Sequence, residues 1–268
     1  MDQTTFKEET IASRVRRSIA VGRAPLAHKG NLLTLVLSAL LVMVMAFFAF
    51  FMMGLAAFVL TSLTELPVWI TNTVSFSLAA LITLLVVMPM IVGRVRLSLL
   101  MLKGETPLVK DTLYYFTSPR RYARAFLVGL LYTICLAISI GVVVAATVGV
   151  SLFYDEVLNE FFVPVAANLL AAAAYQLVVI VAAMMWLVAG LWLSCTLIAA
   201  RDESISVFRA FGRGIRLGVK RFGCFFSYLW QMLLRFLVSL PTIGVLWLLY
   251  FGNLALTSFA ALVTDLEK

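Results

Sequence analysis

Within the apolar stretch WQMLLRFLVSLP stands a single charge, Arg235, with Gln231 one helical turn before it. Arginine in hydrocarbon is costly, so it either snorkels to a nearby headgroup layer or faces a bundle interior, where it marks a polar ligand or path. Arg235 shortly precedes Pro241, so both readings stay open. Gln231 and Arg235 are the pair best placed to touch a polar substrate or a lipid headgroup. Gln176 raises the same question: with Asn168 and Tyr175 it interrupts an otherwise apolar run, suited to interhelix hydrogen bonding or to lining a cavity. Gln176, Gln231 and Arg235 therefore form the candidate intramembrane polar site.

Other chemistries lack their residues. His28 is the only histidine and has no carboxylate or cysteine cluster beside it, so no metal site and no familiar acid–base pair is expected. Cys135, Cys195 and Cys224 show no CxxC spacing and imply neither a disulfide framework nor a metal. Glu105, Asp111, Asp202 and Glu203 lie near helix starts, where carboxylates cap or pair with cations. The chain contains no Walker-type loop, HExxH or GxSxG. We therefore expect a non-enzymatic protein with no cofactor and no catalytic residues.

The elements that must position these residues are apolar. The 268 residues are 63% hydrophobic and only 13% charged, which predicts an all-α, polytopic transmembrane helical bundle. Leu32 to Leu60 would run about 43 Å as a helix, enough to span with tilt. Further spans are expected at about Val74 to Val92, Ala125 to Phe153 and Phe162 to Ala200, the last too long for one crossing yet lacking a turn signal. Cys224 to Val263 carries SLPTIG in its middle, so it is either two spans, about Cys224 to Leu240 and Val245 to Val263, or one kinked helix followed by a surface segment. The hairpin gives about six spans.

Charge sets the orientation. All of the 21 lysines and arginines except Arg235 and Lys268 fall before the first span, between the second and third, or between the fourth and fifth. The opposite loops hold Glu65, Asp155, Glu156 and Glu160 and no lysine or arginine. The positive-inside rule then places both termini and both basic connectors in the cytoplasm. The basic connectors are themselves patterned. In SISVFRAFGRGIRLGVKRFG, Phe208, Phe211, Ile215, Val219 and Phe222 recur every three or four positions beside Arg209, Arg213, Arg216 and Lys220, which predicts an interfacial amphipathic helix with Ser204 or Asp202 as N-cap. Gly214 and Gly218 form a GxxxG that permits close helix approach or bends a surface helix.

In GETPLVKDTLYYFTSPRRYARAF, Thr106 and Pro107 are expected to begin a helix whose Val109, Leu113 and Phe116 share a face. Ser118 and Pro119 then start the third span behind Arg120, Arg121 and Arg124. Residues 1–30 form a cytoplasmic amphipathic lead and 31–268 a single integral membrane domain. This divides further into possible repeated units 1–93, 94–200 and 201–268, each a basic segment followed by two spans.

From the LKGE turn through Phe208, Arg213 and Gly214 to LPTIGVLWLLYFGNLALTSFAAL, with Thr242, Ile243, Gly244, Tyr250 and Thr257 at the marked places, the chain resembles a domain-of-unknown-function family of bacterial polytopic membrane proteins common in Gram-positive anaerobes. That resemblance implies a multi-pass fold and a location in the bacterial cell (inner) membrane, and supplies no catalytic residue.

Two functions fit. One is a protein that binds or organises anionic membrane lipids or a membrane protein partner through Arg120, Arg121, Arg124, Arg209, Arg213, Arg216 and Lys220. The other is a small transporter, or the membrane subunit of one, with a path near Gln176, Gln231 and Arg235. Nucleic acid is not expected as a partner.

Overall fold

The computed structural model describes residues 10–63, 67–153, 192–242 and 244–267, together with 170, 172, 176 and 190. The described residues are helical, with no strand among them. In chain order the helices are α1 (Ile11–Arg23), α2 (Lys29–Leu63), α3 (Val68–Leu102), α4 (Pro119–Phe153), α5 (192–201), α6 (Val207–Lys220), α7 (Phe222–Ser239) and α8 (Trp247–Leu266). Five stretches are long and apolar enough to cross a membrane: Gly30–Ser62, Val68–Leu102, Pro119–Phe153, Phe222–Thr242 and Trp247–Leu266. Most of the run expected to cross fourth, Phe162 to Ala200, lies outside the described residues.

The second span is longer than its hydropathy predicts. The expected end at Val92 and the placement of Arg94 and Arg96 in a connector are both corrected, because α3 continues unbroken to Leu102. Pro89 does not stop it. Proline has no N–H to give the carbonyl four residues back, and its ring crowds that carbonyl. Here the backbone widens into a π turn over Thr83–Val87, with Met88 N–H bonded to Thr83 O. The Tyr122 hydroxyl donates to Leu85 O at 2.9 Å, satisfying the carbonyl that Pro89 leaves open. Tyr122→Phe is expected to cost about 1 kcal/mol of stability, measured by unfolding in a neutral detergent. An unchanged midpoint would show that this bond contributes nothing.

At its end α3 turns through Gly104, whose φ of 84° favours glycine, and Glu105 N–H donates to Leu100 O at 3.1 Å. SLPTIG divides the last region into two helices. A 3-10 turn over Leu240–Thr242 leads to Gly244 at φ 74°, and Gly244 N–H returns to Ser239 O. Phe236 then meets Trp247 edge-on at 5.3 Å, Tyr228 meets Phe259 at 5.2 Å, and the Tyr228 hydroxyl donates to Ala255 O. Each step back along α7 matches a step forward along α8, so the two pack as an antiparallel hairpin. The single kinked helix is excluded.

Burial is concentrated at the end of the bundle where the basic segments lie. Val15, Leu99, Tyr115, Ala125, Leu197, Ala210, Phe225 and Leu262 belong to one core cluster there. Phe47, Phe58, Trp69 and Ile138, on the long apolar helices, are each more than 60% exposed, as side chains facing lipid would be. α1 is capped by the Thr10 hydroxyl, which accepts from Ser13 N–H, and packs antiparallel along α8. Arg17 forks onto Asp265 at 2.8 and 2.9 Å, and Gly22 faces Ser258. Arg201 pairs with Glu267, tying α5 to the same helix end.

The segment after Gly104 is also corrected. It begins at Leu108, not Thr106, and is a 3-10 helix over Val109–Thr117. Asp111 caps it, its carboxylate accepting Leu108 N–H at 2.8 Å. A 3-10 helix repeats every three residues, so Thr112 and Tyr115 share the buried face, whereas Leu113 and Phe116 are exposed. The α-helical spacing of Val109, Leu113 and Phe116 does not describe it.

Candidate functional site

The basic cluster at the start of α4 divides by role. Arg120 is exposed. Arg121 donates to Thr117 Oγ1 at 3.1 Å and lies 4.3 Å from the centre of the Tyr114 ring. Arg96 covers the same ring at 3.3 Å, so Tyr114 is held between two guanidinium groups. Its hydroxyl donates to Glu203 Oε1 at 2.8 Å. Burial first, and then this hydrogen bond to the carboxylate, raise the Tyr114 phenol above its ordinary pKa.

Arg124 is committed to backbone. Its Nε and Nη2 donate to Ala199 O at 3.1 and 2.9 Å, Nη2 also to Asp202 O at 2.7 Å, and Nη1 to Ile205 O at 2.6 Å and Glu203 O at 3.3 Å. Ala199 O belongs to the last turn of α5, whose carbonyls have no partner within the helix, and the other three belong to the turn that follows it. A guanidinium there both satisfies them and meets the negative end of the helix dipole. Asp202 turns the chain onward by accepting Ser204 N–H and Oγ–H, bonds that hold its carboxyl below the usual range. An open crevice between this turn and α4 is lined by Arg120, Arg121 and Arg124.

α6 begins at Ser206, whose hydroxyl accepts Arg209 N–H, two residues later than the expected Ser204. At ~100° per residue its side chains fall into three sectors. Val207, Ala210, Gly214 and Gly218 are buried. Gly214 lies against Cys195 of α5, and the Cys195 thiol donates to Phe211 O at 3.4 Å. Phe208, Ile215 and Val219 form a second sector, exposed by 66%, 42% and 70%. Arg209, Arg213, Arg216 and Lys220 form a third, also exposed. The expected apolar stripe is thus refined: Phe211 turns toward the protein, and the remaining residues face outward beside the arginines. Of the two readings of Gly214 and Gly218, close approach holds at Gly214.

The polar residues expected to share one intramembrane site are not those that line a half-open cavity between the helices. Gln231 and Arg235 share a face of α7, where Arg235 Nη1 lies 3.5 Å from Met232 Sδ. Gln176 is helical and exposed. The cavity instead lies among α3, α4, α5, α7 and α8, has a volume of about 310 Å³ and is lined in part by Arg94, Tyr132, Trp192, Tyr228 and Trp247. Arg94 Nη2 donates to Asn253 Oδ1 at 2.6 Å. Asn253 is oriented by donating its own amide N–H groups to Leu248 O and Leu249 O, at 3.0 and 3.3 Å, beside the π turn Trp247–Phe251 of α8. These residues carried no signal as a site: Arg94 looks like one more connector arginine, and Asn253 like a lone polar residue in an apolar run.

No protein-family model, curated protein or solved structure matches the chain.

Proposed function

We propose that the protein is a non-enzymatic, six-span integral protein of a bacterial cell membrane, with both termini cytoplasmic, that binds and organises anionic lipid at the cytoplasmic surface. The sixth span is the run Phe162 to Ala200, completing the five described. The observation that carries the reading is the three-way division of α6: a small-residue sector docked on α5, an exposed apolar sector, and an exposed basic sector beside it. A helix held in this way lies in the interface, with Phe208, Ile215 and Val219 among acyl chains and Arg209, Arg213, Arg216 and Lys220 among headgroups. Each basic residue near an anionic surface contributes about 1 kcal/mol, screened by salt. Arg120 and Arg121 extend the same surface, whereas Arg124 supports it by fixing the α5–α6 turn.

The test uses the full chain reconstituted in mixed phosphatidylcholine and phosphatidylglycerol vesicles, with energy transfer from tryptophan to a pyrene-labelled form of either lipid. We expect preferential transfer to phosphatidylglycerol, weakened by added salt and by combining Arg209→Gln, Arg213→Gln, Arg216→Gln and Lys220→Gln. An unchanged preference would end the reading. Loss of a solute flux in Arg235→Gln, with the lipid preference intact, would put the transporter in its place.

A further inference from the structure

Among the described residues Arg94 has no counter-charge. Its one hydrogen bond among the described residues goes to a neutral amide, its Nε is buried with no acceptor, and no described carboxylate lies within ion-pair distance. Guanidinium does not lose its proton in a protein, so the charge remains. An uncompensated charge on a half-buried side chain and an unfilled buried donor are both unfavourable. Trp192 has the same deficiency: its Nε1–H is buried with no acceptor, while its ring packs on Tyr132 with centroids 3.9 Å apart. Both residues line the half-open cavity among these helices, whose walls are otherwise mainly apolar, including Leu229, Met232, Leu256 and Phe259. Asn253 cannot supply the missing negative charge, and its amide is fixed with the oxygen toward Arg94 by the two carbonyls behind it.

We propose that this cavity binds a lipophilic acid: a carboxylate or phosphate head that accepts from Arg94 and Trp192, carried on a hydrocarbon chain that packs against the apolar walls. Arg94 Nη1 makes no hydrogen bond among the described residues and is the donor the head meets first, whereas Nε and the Trp192 Nε1–H are enclosed and join it as the side chains shift to admit the head. The Trp192 indole offers a further donor from another helix. The volume of about 310 Å³ is at the lower end of pockets that enclose small ligands, room for a head and part of a chain. The site lies inside the bundle and shares no residue with the α6 surface, so either reading can fail without the other.

The experiment is thermal unfolding of the full chain in a neutral maltoside detergent, titrated with laurate, dodecyl phosphate, dodecanol, acetate and inorganic phosphate. Laurate or dodecyl phosphate is expected to raise the midpoint at concentrations where dodecanol, acetate and inorganic phosphate do not. Arg94→Gln, which retains an amide donor for Asn253, is expected to weaken that ligand by about tenfold or more, the worth of a charge-assisted hydrogen bond. Trp192→Phe keeps a ring against Tyr132 and is expected to weaken it about threefold or more. It carries the test if Arg94→Gln does not fold. Lys110→Gln, at an exposed position away from the cavity, is expected to bind as the parent does. Equal stabilisation by dodecanol would overturn the anionic head, and equal stabilisation by acetate or inorganic phosphate would overturn the chain. Unweakened binding in both cavity variants would overturn the site.

Discussion

Arg124→Ala is expected to lower the unfolding free energy by on the order of 3 kcal/mol or more, the largest loss from any single arginine of the basic cluster. Charge-assisted hydrogen bonds contribute about 1.5 to 3 kcal/mol each, and a buried acceptor left without a partner adds its own penalty. Arg124 serves four carbonyls, those of Ala199, Asp202, Glu203 and Ile205. Water reaches the more exposed of these in the variant, which is why the expected loss is far below the sum of the bonds. Arg124→Lys separates structure from charge. It preserves the charge, but a single ammonium cannot span carbonyls arranged for a planar fork, so it should lose most of what alanine loses. Arg120→Ala, at an exposed position, should remain within about 0.5 kcal/mol of the parent. The measurement is equilibrium unfolding in neutral detergent. Equal midpoints for Arg124→Ala and Arg120→Ala would show that the carbonyl bonds do not hold the α5–α6 turn.

The contrast between two arginines four residues apart shows what the sequence could and could not disclose. The pattern TSPRRYARAF is sufficient to place a helix start at Pro119, because serine, proline and the apolar run behind them are all local signals, and α4 does begin there. Local pattern also locates α2, the break at SLPTIG and the basic stripe of α6. The partners of Arg124 and Tyr122 are not local. Each answers a backbone carbonyl freed elsewhere, by a helix end at Ala199 and by Pro89 acting on Leu85. Arg94 escaped for the same reason. A hydropathy window ends at the first arginine, whereas the residue this one is bonded to, Asn253, is 159 positions away. The segment over Val109–Thr117 departs from its pattern for a different reason: periods of 3.0 and 3.6 are hard to tell apart over nine residues, and packing decides between them.

The three basic segments share a packing rule that no stretch of sequence contains whole. Val109–Thr117 lies on α3 where Thr112 meets Gly93, α6 lies on α5 where Gly214 meets Cys195, and α1 lies on α8 where Gly22 meets Ser258. The first two partners are near neighbours in the chain. The third joins the beginning of the chain to its end, with Arg14 and Arg17 on Asp265 fixing its register. Each such segment is therefore a brace for the apolar helix it covers, and α1 and α6 are basic surfaces as well. The expected unit boundary at 93/94 falls inside α3, next to the glycine that one such segment requires.

Small residues at those contacts give the second large effect. A Cβ added at Gly93 would meet Thr112 O and stand 2.8 Å from Thr112 C, and one added at Gly214 would stand 2.8 Å from Cys195 Cα. In both places the obstruction is backbone, which cannot swing aside as the tip of a side chain can, so a whole segment must move. Overpacking of this kind typically costs about 1 to 3 kcal/mol. Gly93→Ala is expected at the upper end, because the displaced 3-10 segment carries buried Thr112 and Tyr115, along with the Tyr114 ring held between Arg96 and Arg121. Gly214→Ala should also reduce the preference for anionic lipid, since α6 would leave its seat on α5 with its charges unchanged. Gly212 is the internal control: it lies in α6 with nothing within 4 Å of an added Cβ. Gly212→Ala removes only the backbone freedom of glycine and should stabilise by about 0.5 to 1 kcal/mol. Unfolding midpoints that fall for Gly93→Ala and Gly214→Ala and rise for Gly212→Ala would establish the seating of both segments. A fall of similar size at all three would assign the loss to glycine chemistry along the chain and remove the close contacts as its cause.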